Sequence, residues 1–312
     1  MRAAADLPQL AGETLFLADG GLETALIFHQ GVELPCFAAF VLLDDETGRA
    51  ALRTYFEPYL RLAAERGVGL VLDTATWRAN PDWGRELGYA PEALDAVNRA
   101  AVAFARELRD ELPEGVPAVV NGVVGPRGDG YVADRLMTAE DAAAYHGRQL
   151  ELFAQAGADM ATAVTMTYAA EAEGIVAAAQ RAGLPVAISF TVETDGRLPS
   201  GQPLREAIEQ VDAANERAAA YFMVNCAHPT HFEAVLEEDG AWRERIVGIR
   251  ANASRMSHAE LDEAEQLDDG DPVELASEYR ALRERLPRLS VVGGCCGTDH
   301  RHVGAIRDAL LG

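Results

Sequence analysis

The stretch Leu289-Ser290-Val291-Val292-Gly293-Gly294-Cys295-Cys296-Gly297-Thr298 decides how this chain is read. Its apolar, β-branched head is short and follows Pro287, so it reads as a buried strand. The glycine pair permits a sharp turn, and two adjacent sulfurs leave the strand at its C-terminal end. A second apolar run, 220–224, leads to Asn225 and Cys226 in the same way. Strand C-termini are the face on which parallel α/β folds gather their chemistry.

The same alternation extends along the whole chain. Apolar, β-branched runs at 15–18, 69–74, 117–124, 159–165, 185–192, 220–225, 245–251 and 289–293 read as eight strands. Helical spacing lies between them, as in Tyr55, Tyr59, Leu62 and Ala63, or Leu275, Ala276, Tyr279, Leu282 and Leu286. Pro91 and Pro272 stand where a first helical turn accepts proline. Eight strand–helix units in 312 residues predict an α/β fold, a single (β/α)8 TIM barrel. A doubly wound sheet is the alternative, but Asp19-Gly20-Gly21 lacks the spaced glycines of a dinucleotide fingerprint. The longest excursions, 28–53 and 78–91, follow the first two strands and are expected to rim the top face.

Fifty acidic residues stand against 27 basic ones, a net charge of −23, and the chain has no Lys. Such a surface repels nucleic acid and anionic membranes. Lacking Lys, the chain also has no Schiff-base or P-loop lysine chemistry. No run approaches the roughly 18 apolar residues of a membrane span, and the first residues do not form a secretory signal. Four cysteines, two of them adjacent, make no disulfide framework, so a reducing, cytoplasmic setting is expected.

Cys226 lies 69 positions before Cys295, too far for a zinc-ribbon knuckle but natural for neighbouring ends of barrel strands. Three thiolates without a fourth cysteine nearby describe a zinc site with an open position, the catalytic pattern. Such an ion carries a net charge of −1 and activates water poorly. It suits an exchangeable substrate thiolate that attacks carbon, so the natural reaction is alkyl transfer to sulfur. The other reading of the same residues is a tight barrel end with small buried cysteines.

These motifs resemble the homocysteine S-methyltransferase family, zinc-dependent barrel enzymes that include betaine- and S-methylmethionine-homocysteine methyltransferases. Gly293 to Thr298 is similar to the family's paired-cysteine signature, and Asn225-Cys226 with His228 and Pro229 to the segment supplying the first cysteine. Asp19-Gly20-Gly21 with Thr24 resembles the N-terminal motif. Ser189-Phe190-Thr191 with Asp195-Gly196-Arg197-Leu198 resembles the strand-five region. The resemblance implies one homocysteine-binding-type barrel domain over 1–312, with Cys226, Cys295 and Cys296 as ligands to Zn2+. It also implies that Asp19 holds the ammonium group of homocysteine, which is methylated to methionine. One departure stands out: where the family carries a glutamate at the end of strand four, this chain has Val164 within Ala163-Val164-Thr165. Glu23, Glu171 and Glu193 are candidates to compensate, each otherwise a solvated carboxylate.

The expected partners are a small-molecule thiol acceptor and a small methyl donor such as S-methylmethionine, S-adenosylmethionine or a betaine. The sequence leaves room for a homo-oligomer. Expected catalytic residues are Asp19 and Asn225. Substrate contacts are assigned to Asp19, Gly20, Thr24, Trp77, Val164 and Asn225, with Trp77 offering a rim aromatic face to a cationic donor. His228 is considered as a fourth metal ligand and set aside in view of Pro229. Cys36 reads as a packed loop residue, and His300 and His302 as surface or capping residues. Alternative functions are methyl transfer to a different thiol or selenol, and a zinc- or thiol-binding protein without turnover.

Overall fold

Eight parallel strands close on one another in chain order: β1 (Phe16–Leu17), β2 (Gly69–Asp73), β3 (Ala118–Val124), β4 (Met160–Met166), β5 (Val186–Phe190), β6 (Phe222–Asn225), β7 (Ile246–Ala251) and β8 (Val291–Gly294). The computed structural model describes residues 4–12, 14–264 and 266–312. β1 pairs with both β2 and β8, which closes the (β/α)8 barrel. Every strand read from the sequence is present, its ends shifted by no more than two residues.

Long helices follow most strands, among them Glu46–Arg66, Pro91–Asp110, Ala139–Ala156, Ala169–Ala182, Leu204–Ala214, Pro272–Arg285 and His300–Leu311. Their ends are locally encoded. The side chains of Asp45, Thr138 and Asp271 accept hydrogen bonds from first-turn amides, and Gly67, Gly157 and Gly183 end helices in the left-handed region. After β6 no long helix forms; the chain makes the short helix Pro229–Phe232 and two 3-10 turns, Val235–Glu237 and Ala241–Arg245.

Side chains alternate along the strands and divide the core in two. Phe16, Val71, Val119, Met160, Tyr221, Met223 and Val291 fill the barrel interior. Gly69 lies over the Phe16 ring, where a Cβ would come within 2.3 Å of it. Leu17, Leu70, Leu72, Val120 and Ile249 face the helices. Each such buried aliphatic or aromatic side chain stabilises the fold by about 1.5–3 kcal/mol. Gln9 closes the bottom, its amide donating to the Met160 sulfur at 3.1 Å. No described helix is long and apolar enough to cross a membrane.

Cys36 corrects one expectation. It is exposed with φ +54°, on the excursion after β1, because the chain turns there over the barrel rim.

Candidate active site

The C-terminal ends of the strands surround a cleft open to solvent. Its first wall is the Asp19-Gly20-Gly21 turn, which interlocks with the cysteine turn. Gly294 donates its amide to the Asp19 carbonyl at 2.8 Å, and Gly21 donates to the Thr298 carbonyl at 3.0 Å. A Cβ on Gly21 would sit 2.5 Å from the Cys295 carbonyl oxygen, so glycine is required by close approach. Thr24 ties the seam, accepting from the Gly297 amide at 3.3 Å while donating to the Gly21 carbonyl.

The sulfurs of Cys226, Cys295 and Cys296 converge within 4.8 Å of one another, as the sequence reading expects. The structure adds a correction: Cys226 and Cys295 are joined in a disulfide, leaving Cys296 with a free thiol. The convergence that suits a metal also brings two thiols within bonding reach, so disulfide and trithiolate are alternative states of the same residues. Reduced, three soft sulfur donors at strand ends fit a tetrahedral zinc ion with one position left for a ligand.

Neighbouring groups hold these sulfurs in place. Cys226 has φ +51°, a strained conformation for a non-glycine residue. Its carbonyl lies 2.6 Å from His258 Nε2, and His258 Nδ1 is 3.1 Å from the Glu193 carboxylate. Tyr131 stacks on the His258 ring and sets its hydroxyl 3.3 Å from the Cys296 sulfur. Burial pushes the Cys296 thiol up to about 11, against the pull of the Tyr131 hydrogen bond.

Arg250, at the end of β7, is the cation of the cleft. It pairs with Asp19 Oδ1 through Nη2 and with Asp73 Oδ2 through Nη1, and its Nε donates to the Gly294 carbonyl at 3.1 Å. Asp19 Oδ2 accepts from the Tyr55 hydroxyl at 3.0 Å, and Asp73 Oδ1 from the Asn121 amide at 2.7 Å. Burial raises the Asp19 carboxyl, with Arg250 pulling it down and Asp73 pushing it further up. Glu23 lines the same cleft; burial pushes its carboxyl up to about 7.

Asp19, Gly20, Thr24, Trp77 and Val164 therefore share one cleft with the three cysteines. Trp77 has the Arg78 guanidinium over its ring, 4.3 Å from the centroid, and donates its indole N–H to the Val164 carbonyl at 3.4 Å. Asn225 departs from the expectation. It is fully buried behind the cleft, accepting from the Thr165 amide and the Ser189 hydroxyl and donating to the Thr165 hydroxyl. Its amide pins Thr165, which has φ +65°, so it holds the cleft wall from behind and is not itself part of the lining.

Other expectations change as well. Glu171 is buried, not solvated, accepting from the Arg127 amide and pairing with His146 at 2.9 Å. His228 turns toward Glu278 at 3.2 Å and is not among the converging sulfur ligands, in keeping with its being set aside as a ligand. His302 is buried and belongs to the cap of the last helix, its Nδ1 3.2 Å from the Asp299 amide.

Sequence reasoning missed Arg250, Asp73, Tyr131 and His258. Arg250 left a signal, as the only charged residue within Ile246–Ala251 and near that strand's chemical end. Tyr131 lies in a loop and His258 opens the short helix His258–Asp262, and their meeting is tertiary and left none.

An eight-stranded barrel with three cysteines around one cleft defines a thiol-centred α/β-barrel enzyme. A homocysteine S-methyltransferase family profile matches residues 16–310, and the chain belongs to that methyltransferase family. It is 24% identical to homocysteine S-methyltransferase 1 of Arabidopsis thaliana over 93% of this chain and 91% of the relative. It is 23% identical to selenocysteine Se-methyltransferase of Brassica oleracea var. italica over 95% and 88%. In structure it is similar to the homocysteine methyltransferase MmuM from Escherichia coli in its oxidized form. That likeness has a TM-score of 0.77 at 21% identity and covers 98% of this chain and 99% of the other, and it supports the shared fold.

Proposed function

We propose that this chain is a single-domain, cytoplasmic, zinc-dependent S-methyltransferase that moves a methyl group from a sulfonium or quaternary ammonium donor to a thiol. Homocysteine, converted to methionine, is the acceptor that fits the family. The observation that carries the reading is the convergence of three cysteine sulfurs beside a cleft at the barrel mouth. Cys226, Cys295 and Cys296 would hold the zinc once reduced, and the ion when bound keeps an acceptor thiol deprotonated and nucleophilic at neutral pH.

The remaining work falls to the protein. The acceptor sulfur bonds to the donor's methyl carbon as the carbon's bond to the donor heteroatom breaks, the electron pair leaving with the neutral donor product. Asp19, Gly20 and Thr24 shape the acceptor side. Phe28, Phe37, Trp77 and Tyr131 line an outer cleft that carries Asp129, Asp262 and Asp268 against one guanidinium, Arg78, which already covers the Trp77 ring; the acidic excess suits a cationic donor. Fixing both reactants in line supplies the rate advantage of proximity.

The test is methyl transfer by reduced, zinc-loaded protein from S-methylmethionine, S-adenosylmethionine and glycine betaine to homocysteine and other thiols, followed by mass spectrometry. A zinc content near one per chain with methylated thiol is the expected result. Absence of product from every pair of donor and thiol would end the proposal.

A further inference from the structure

The cleft is lined by three carboxylates and one guanidinium, Arg250, with Arg78 acting on Glu23 from the neighbouring outer cleft. Asp19 and Asp73 share the Arg250 guanidinium, and the second oxygen of each is taken by Tyr55 or Asn121. Every oxygen of the two aspartates already carries a donor, so an incoming cation would have to share it. Val164 presents an apolar wall on the opposite strand end.

Glu23 is different. It stands in the helical turn Leu22–Thr24, two residues after Gly21, which presses against Cys295, and it lines the cleft beside the cysteines. It has no ion-pair partner among the described residues, while Glu171 is engaged by His146 and Glu193 by His258. Neither of those two lines the cleft. Glu23 is also absent from the walls of the outer, donor-type cleft, so it belongs to the acceptor side.

We propose that Glu23 is the specificity residue that meets the ammonium group of an amino-acid thiol acceptor, its carboxylate completing a charge balance that the paired aspartates cannot supply. This rests on the reading of the cleft as the acceptor site of a thiol methyltransferase. A thiolate near Cys296 with an ammonium group at Glu23 places the two ends of one short amino acid along the wall from the cysteine turn to the Asp19 turn. The arrangement also explains how an apolar Val164 is tolerated: the cation is read from the β1 loop, not from β4.

The experiment compares homocysteine with 4-mercaptobutanoate, its analogue without the amino group. Calorimetric titration of reduced, zinc-loaded wild type, Glu23→Gln and Glu23→Gln/Val164→Glu proteins gives affinities without turnover, and methyl transfer is measured alongside. Wild type is expected to bind homocysteine about tenfold tighter or better, as for loss of one charge-assisted hydrogen bond. Glu23→Gln removes most of that preference and leaves 4-mercaptobutanoate almost unchanged, and Val164→Glu restores part of it. Equal binding by wild type, a preference for the analogue, a Glu23→Gln loss that is the same for both thiols, or no binding of either overturns the inference. The expected binding pattern without methyl product from any donor supports the inference and overturns the functional reading alone.

Discussion

Arg250 bridges Asp19 and Asp73 at the barrel mouth, one guanidinium joining the ends of β1, β2 and β7. The three side chains are almost wholly removed from water, so each charge depends on the others for compensation. Replacing Arg250 with Met strands two buried carboxylates and is expected to cost about 3–5 kcal/mol of stability, read as a lowered urea midpoint. Adding Asp19→Asn and Asp73→Asn to that variant should recover a large part of the loss. No recovery would mean that Arg250 acts through packing.

Glu23 makes stability depend on pH. Its carboxyl lies at about 7 in the fold, against an ordinary value of 4.5, because burial outweighs the help of Arg78 and Arg250, and Asp19 adds repulsion. Between those values the folded chain keeps a proton that the unfolded chain has released, so this contribution to stability falls as pH rises and is gone above about 7. The Glu23→Gln protein does not titrate there. Its stability relative to wild type should therefore grow from pH 4.5 to 8, a trend that paired denaturation curves would show or refute.

The three sulfurs should act as one unit. Air-oxidised protein, with one disulfide among four cysteines, is expected to show two free thiols after denaturation and to retain no zinc. Reduction should reveal four thiols and restore one zinc per chain. Serine at Cys226, Cys295 or Cys296 abolishes stoichiometric zinc, while Cys36→Ser leaves it intact; metal analysis after gel filtration distinguishes these outcomes.

Tyr131→Phe keeps the stack on His258 but removes the hydroxyl facing Cys296. Loss of such an outer partner to a metal-ligating sulfur is expected to weaken zinc binding about tenfold, measured by chelator competition. Unchanged zinc affinity would leave Tyr131 with a role only in the cleft wall.

Asn225→Ala removes the amide that holds Thr165 at positive φ. A cost of about 1–3 kcal/mol follows from the groups left unsatisfied. Thiol affinity in the folded fraction should change little, since Asn225 does not line the cleft. A large loss of affinity at unchanged stability would return Asn225 to the substrate-contact residues.

The barrel was legible because each strand is a short β-branched run bounded by turn residues, a local signal. The cysteines were legible because adjacent sulfurs after a glycine pair have few structural explanations. Asn225 misled because its place beside Cys226 in sequence says nothing of the direction in which its amide points. Glu171 was read as solvated because its partner His146 lies on the preceding helix, a pairing visible only once the two helices pack. Arg250 could be noticed as a charge in a strand, but its partners come from the first two strands, more than 170 residues away.

The interlock of the Gly21 and Gly294 turns is also a statement about order of assembly. Two of the three sulfurs arrive on the last strand, and their turn is shaped by amide bonds to a loop near the start of the chain. Until β8 slides against β1, Cys226 stands alone and no chelating set exists. If the trio binds zinc as proposed, metal capture would report that the ring of strands has been sealed, since a chain stalled one strand short holds one of the three thiols.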